Sequence, residues 1–247
     1  MKTLRVKAPA KINLHLEVLG LREDGFHELA MVMQAISLFD ELNMKLRNDG
    51  KISLHSSNKS LSCMDDNLIV KAAKLLKDKA KNNDLGVDIY LDKKIPIGAG
   101  LAGGSSDAAA TLLGLNSLWE LGFSKLELEK FASLIGSDVP FCISGGTQLC
   151  FGRGEKLEPL KEPINIFSLL LVKDPLISVS TPWAYSKCKE IKGSEYLKTE
   201  EDFEKKRQNL RDASWLNFSI TSSPPPLIND LQNVVIPYYP QVDKALS

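Results

Sequence analysis

Four glycines fall within seven residues in the stretch Ile95-Pro96-Ile97-Gly98-Ala99-Gly100-Leu101-Ala102-Gly103-Gly104-Ser105-Ser106, and a run rich in alanine and leucine continues to Trp119. Glycine lets backbone N–H groups approach a ligand closely. The helix expected over Ser105 to Trp119 adds unpaired N–H donors and the positive end of its dipole. Together these features can hold a phosphate. The spacing Gly98-x-Gly100-x-x-Gly103 taken by itself also fits a bare tight turn.

Context separates the phosphate-binding alternatives. A dinucleotide fingerprint follows a buried strand directly and leads through a helix to a second strand; here Lys93-Lys94-Ile95-Pro96 intervenes and a further helix is expected next. A Walker A loop counted from Gly98 requires lysine where Gly104 stands. The His-Arg-Asp and Asp-Phe-Gly motifs of protein kinases are absent from the sequence.

The rest of the chain narrows the classes further. Its 31 basic and 31 acidic residues leave no basic surplus for nucleic acid. Cys63, Cys142, Cys150 and Cys188 lack zinc-ribbon or thioredoxin spacing, and His15, His27 and His55 are too scattered for a metalloprotease helix. No apolar stretch approaches the roughly 20 residues that span a bilayer, and the N-terminus lacks a signal-peptide core. A cytoplasmic protein without a membrane partner is expected.

Period-two alternation at Ile12, Leu14, Leu16 and Val18 predicts a half-buried strand, as it does at Leu42, Met44 and Leu46 and at Val87, Ile89 and Leu91. A helix is expected over Leu68 to Leu76 with Asp66 near its cap, and Ser124 with Glu127 forms a capping box for another that runs to about Ile135. Thr147 to Phe151 and Ile166 to Val172 read as strands, Asp174-Pro175 as a turn, and Thr181-Pro182 as a helix start with Thr181 as cap. Lys187 to Asp212 reads as a solvated helical surface, and Ser222 to Pro226 as a stiff linker. Gly152, Gly154, Pro159 and Pro163 suggest a domain boundary near 155 to 163.

With Lys11 on its first strand and Gly136-Ser137-Asp138-Val139-Pro140 after its helices, the sequence resembles the GHMP small-molecule kinase superfamily. Four ordered motifs carry a closer similarity: Pro9-Ala10-Lys11-Ile12-Asn13-Leu14, Asp24-Gly25-Phe26-His27-Glu28-Leu29, Pro96 to Ser106, and Gly136 to Phe141. They are similar to the branch that acts on a cytidine diphosphate-linked methylerythritol. The resemblance implies an α/β (α+β) fold. A ribosomal-S5-domain-2-like, ATP-binding domain would occupy residues 1–155 and an incomplete ferredoxin-like domain residues 164–247.

The same resemblance assigns roles. ATP would lie on Pro96, Ile97, Gly98, Ala99, Gly100, Leu101, Ala102, Gly103, Gly104, Ser105 and Ser106, with Asn67 on the adenine side. Asp138, which by residue type is also a plausible helix cap, would accept the proton of the reacting hydroxyl. Lys11, by itself more often a solvated lysine, would hold Asp138 ionised and neutralise charge on the phosphoryl group. Phe26 would stack on cytosine, in a place where the branch usually has tyrosine, and His27 would bond its edge. Asn13, Thr181 and Tyr185 would contact the same substrate. ATP and Mg2+ are the implied cofactors, with Ser106 as a magnesium ligand.

The implied reaction moves a phosphoryl group from ATP to the substrate 2-hydroxyl in non-mevalonate isoprenoid synthesis. Other GHMP kinases, acting on mevalonate, homoserine or a sugar, are the alternative, and Gly25-Phe26-His27 discriminates against them. A non-catalytic nucleotide-binding remnant is the other alternative. All sixteen glycines lie at or before Gly193, whereas the resemblance implies a further glycine-rich motif later on, so a C-terminally truncated chain of little activity is expected.

Overall fold

The computed structural model describes residues 2–160, 168–174, 176–217 and 228–246. Ile166 and Phe167, Pro175, and the linker Ser222 to Pro226 lie outside the described residues. In chain order the elements are β1 (Thr3–Leu21), β2 (His27–Arg47), β3 (Ile52–Ser56), α1 (Leu68–Ala80), β4 (Gly86–Asp92), α2 (Gly103–Leu118), α3 (Lys125–Ser133) and α4 (Val139–Ser144). They continue with β5 (Thr147–Gly152), β6 (Lys156–Pro159), α5 (Thr181–Lys192), α6 (Glu200–Arg211), β7 (Ile228–Asn229), α7 (Asp230–Val235) and α8 (Pro240–Leu246). The chain forms two compact units, and both take residues from β1 and β2. The first comprises Met1–Lys11, Ala35–Ile97 and Leu101–Gly145; the second comprises Ile12–Gln34, Gly98–Gly100 and Gly146–Ser247.

In the first unit β4 pairs antiparallel with β2 and parallel with β3, with Leu42 opposite Leu91, Met44 opposite Ile89 and Leu54 opposite Ile89. The alternation read at 42, 44 and 46 and at 87, 89 and 91 therefore lands on neighbouring strands. One face of that sheet packs into a core with Ile69, Ala73 and Leu76 of α1 and Ala108, Leu112 and Leu115 of α2. Helix α2 comes close because it carries glycine at the contact: a Cβ at Gly114 would stand 2.7 Å from Met44 Sδ and 3.0 Å from Val6 Cγ2. The capping box of Ser124 and Glu127 opens α3 as expected. At α1 the cap is Asn67, one residue beyond Asp66, because the Asp66 carboxylate instead accepts from Ser62 Oγ at 2.5 Å.

In the second unit the first part of β2 pairs antiparallel with β5, Met31 opposite Cys150, and β5 pairs with β6. Strand β1 pairs parallel with β7 at His15 and Ile228. Leu14, Leu19, Val32, Phe151, Phe203 and Leu216 share one core. Four expectations change here. The β1 segment is not half-buried: His15 is buried along with Leu14 and Leu16, because packing covers both faces, and His15 lies 6.0 Å from the Trp215 ring. The segment from Lys187 to Asp212 is not all solvated surface, since Phe203, Arg207 and Leu210 form a buried stripe at helical spacing on α6. Ser168 to Val172 forms no strand, and Leu170 is 88 % exposed; strand propensity without a pairing partner does not hold an extended ladder. Ser180, rather than Thr181, caps α5, with Pro182 in the first turn.

Candidate active site

The glycine stretch runs into α2 through three left-handed residues, Gly98 (φ +65°), Gly100 (φ +70°) and Ala102 (φ +54°). Ala102 is the N-cap of α2 and has no side chain able to bond the first turn, which also carries no acidic residue. The opening N–H groups of α2, from Gly103 on, are left without a side-chain cap, the arrangement in which a helix start accepts an anion. Gly103 is not left-handed. Its lack of a side chain serves close approach on the inner side, where a Cβ would stand 2.8 Å from Lys93 Nζ and 3.0 Å from Ile95 Cγ2. The loop is also tied to β1, since the Lys11 N–H donates to the Leu101 carbonyl at 3.1 Å.

Behind the loop lies a charge cluster that sequence reading missed. Lys93 Nζ pairs with Asp40 and, at 2.8 Å, with Asp107 Oδ2. The Asp40 side chain also accepts from the backbone N–H groups of Lys94 and, at 2.7 Å, Ile95. Asp107 Oδ1 is buried without a hydrogen-bond partner among the described residues, and burial pushes its carboxyl up to about 7 against the pull of Lys93.

Sequence reading also missed Cys142, whose thiol lies within electrostatic reach of Lys11, Ser106 and Asp138. Burial and the Asp138 carboxylate push the Cys142 thiol up to about 12, while Lys11 and a hydrogen bond with Ser106 act in the opposite direction. The thiol therefore stays neutral in company that includes an acid and a base. Lys11 is only 6 % exposed, not a solvated lysine. Asp138 occupies the N-cap position of α4 but its side chain makes no capping hydrogen bond, so helix capping does not account for the carboxylate. Ser106 is buried, and its Oγ donates to the Pro9 carbonyl at 2.7 Å, joining α2 to β1. Asn67 is engaged at both ends: Oδ1 accepts from the Ile69 N–H at 2.9 Å and Nδ2 donates to the Ser62 carbonyl at 2.6 Å.

The second unit gathers an aromatic group at the start of β2. A turn closed by the Arg22 N–H to the Phe26 carbonyl at 2.8 Å, with Gly25 at φ +82°, presents Phe26 half exposed. The Arg153 guanidinium covers one face of that ring at 4.8 Å. The His27 ring stacks on Tyr185 at 5.2 Å and meets Tyr196 edge-on at 5.6 Å. Its Nε2 is buried with no hydrogen-bond partner among the described residues, and burial together with the Lys189 ammonium lowers its pKa, so the ring is neutral at pH 7. Thr181 lies exposed one turn before Tyr185 on α5, and Asn13 is half-buried on β1. Tyr196 and Arg153 had no local signal that could have marked them.

Comparison with known proteins places these features in a family. Residues 67–146 match the GHMP kinases N terminal domain. The chain is 61 % identical over 242 residues to the 4-diphosphocytidyl-2-C-methyl-D-erythritol kinase of Prochlorococcus marinus (strain MIT 9313), covering 98 % of this chain and 76 % of that protein. It is 57 % identical over 244 residues to the protein of the same name from Synechococcus sp. (strain CC9605), covering 99 % of this chain and 80 % of that one. Among solved structures, a 4-(cytidine 5'-diphospho)-2C-methyl-D-erythritol kinase aligns with TM-score 0.69 and 31 % identity over 98 % of this chain and 81 % of its own. Mevalonate kinase of Methanococcus jannaschii, at TM-score 0.57 and 14 % identity over 98 % and 79 %, shares the fold.

Proposed function

Since the chain belongs to the 4-diphosphocytidyl-2-C-methyl-D-erythritol kinase family of GHMP kinases, we propose that it transfers the terminal phosphoryl group of ATP to the 2-hydroxyl of that cytidyl substrate. The product is the 2-phosphate, in the non-mevalonate route to isoprenoids. Within the structure, the observation that carries the reading is the uncapped start of α2 behind its glycine loop, tied to β1 by the Lys11 N–H on the Leu101 carbonyl and by Ser106 Oγ on the Pro9 carbonyl.

Phosphoryl transfer proceeds through a loose transition state, so positioning and charge stabilisation outweigh covalent chemistry. Asp138 accepts the proton of the attacking hydroxyl, and its carboxylate is not spent on capping α4. Lys11 supplies positive charge where negative charge accumulates. The opening N–H groups of α2 hold the nucleotide phosphates, with the stretch from Pro96 to Ser106 as their frame. Cys142, kept neutral, adds no competing negative charge. His27, neutral and with an unpartnered Nε2, suits a hydrogen bond to the uncharged edge of cytosine, and Phe26 offers the stacking face. Thr181 and Tyr185 complete the cytidyl side of the proposal, and Asn13 contacts the erythritol moiety.

Magnesium would be brought by ATP. Among the described residues no group of three His, Cys, Asp or Glu side chains could hold a metal ion, so the described part of the chain lacks an acidic cage of its own. The Ser106 hydroxyl donates a hydrogen bond to the Pro9 carbonyl and keeps oxygen lone pairs that would hold a magnesium ion. When bound, the ion offsets phosphate charge. Among the described residues no helix is long and apolar enough to cross a membrane. The domain division at 1–155 and 164–247 belongs to the same proposal.

The test is a coupled assay for ADP release, run with ATP alone and with the cytidyl substrate, mevalonate or homoserine added. ADP release that depends on the cytidyl substrate supports the reading. Equal release with mevalonate or homoserine, or with ATP alone, rejects it.

A further inference from the structure

The buried cluster of Asp40, Lys93 and Asp107 has no part in the chemistry above. Its side chains are 0, 5 and 3 % exposed. Apolar residues of similar volume often replace a buried charge group with no loss of stability, so stability alone is a poor reason for one.

Its connections suggest another. Asp40 accepts from the N–H groups of Lys94 and Ile95, the last two residues before Pro96, and so grips the entry to the glycine loop. Asp107 follows Ser106 on α2 and so marks the exit, and the Lys93 ammonium bonds to both carboxylates. Lys93 also defines the inner wall of the loop, because its Nζ lies 2.8 Å from where a Cβ on Gly103 would stand. The two ends of the segment thus share a single buried cation.

We infer that Lys93 is a positioning residue for the phosphate loop: its ammonium sets the separation between the loop's entry and the first turn of α2, and thereby aims the opening N–H groups of that helix at the nucleotide phosphates. The inference rests on the reading of this loop as the ATP site. The Lys93 ammonium acts through the loop, since it is spent on the carboxylates of Asp40 and Asp107.

Two variants test it, Lys93→Met and the double variant Lys93→Met with Asp107→Asn. ATP affinity is measured by calorimetry, and KM for each substrate and kcat by steady-state assay on the full chain. Misaiming one N–H···phosphate bond weakens ATP binding about tenfold. Both variants are expected to show that loss, with KM for the cytidyl substrate and kcat at saturating ATP within about twofold of wild type. The single variant also melts at lower temperature, because Asp40 and Asp107 both lose their buried cation, and the double variant, which removes one of those two charges, recovers part of that loss. Recovered stability with persistently weak ATP binding separates positioning from folding. A double variant with wild-type ATP affinity overturns the inference, as does a parallel loss in both KM values and kcat. Wild-type protein that binds no ATP overturns the reading of the loop itself, a result visible before any variant is made.

Discussion

Arg207 on α6 donates to Glu28 on β2 at 2.7 Å, with the two side chains 5 and 2 % exposed. Glu28 also holds Arg22 at 2.6 Å and accepts from the Gly152 N–H at 3.2 Å, while Arg207 pairs with Glu200 and Glu204. The network fixes the residue next to His27. Arg207→Leu removes one partner of a buried pair but leaves Glu28 with Arg22, so the cost falls at about 2–3 kcal/mol, below the full cost of breaking such a pair. At roughly 2–4 °C per kcal/mol for a chain of this size, melting should drop by about 4–12 °C. Calorimetric melting checks this, and an unchanged midpoint would show that Arg22 alone satisfies Glu28.

Asp138→Asn should lower turnover by about 100- to 10,000-fold, the usual consequence of losing a positioned base. ATP affinity should be unchanged, because the carboxylate acts on the acceptor hydroxyl. Steady-state rates and ATP calorimetry on the same preparation make the comparison. A variant that keeps half of the wild-type turnover removes Asp138 from the mechanism.

Phe26→Ala should weaken the cytidyl substrate by roughly 1–3 kcal/mol, the range for stacking a base on an aromatic ring, with ATP affinity unaffected. His27→Ala should raise the same KM by removing the hydrogen bond to the base edge. If neither substitution moves the KM for the cytidyl substrate, the aromatic group around Tyr185 and Tyr196 is packing only.

Glu17 sets a pH dependence of stability. The His15 ring, 3.7 Å from the carboxylate, and the Lys206 ammonium at 2.6 Å bring its carboxyl from an ordinary 4.5 down to about 2. The folded state therefore resists protonation in a range where the unfolded chain accepts it. The resulting stability is fully present above pH 4.5 and is lost as pH falls towards 2. Denaturant melts of wild type and Glu17→Gln across that window should show a shallower acid slope for the variant; identical slopes would dismiss the pair.

What could be read from the sequence was mostly local. The glycine stretch, the alanine and leucine helix after it and the Ser124–Glu127 box depend on neighbours within a few residues, and the structure has α2 and α3 where they were expected. Lys93 is different: beside Lys94 it looks like a solvated pair, and only folding brings it to Asp40, 53 residues away in sequence. Cys142 lies beyond local reading for the same reason, since Lys11 reaches its surroundings from β1. The apolar stretch Leu169 to Val172 erred in the opposite direction, because its pattern suits a strand but no described strand pairs with it.

The hydrogen bond from the Lys11 N–H to the Leu101 carbonyl gives the loop its own clock. A backbone amide exchanges its proton with solvent only while its bond is open, and the exchange rate counts those openings. Deuterium uptake at that single amide therefore reports how often the loop detaches from β1, in the absence of turnover and without any label on the nucleotide.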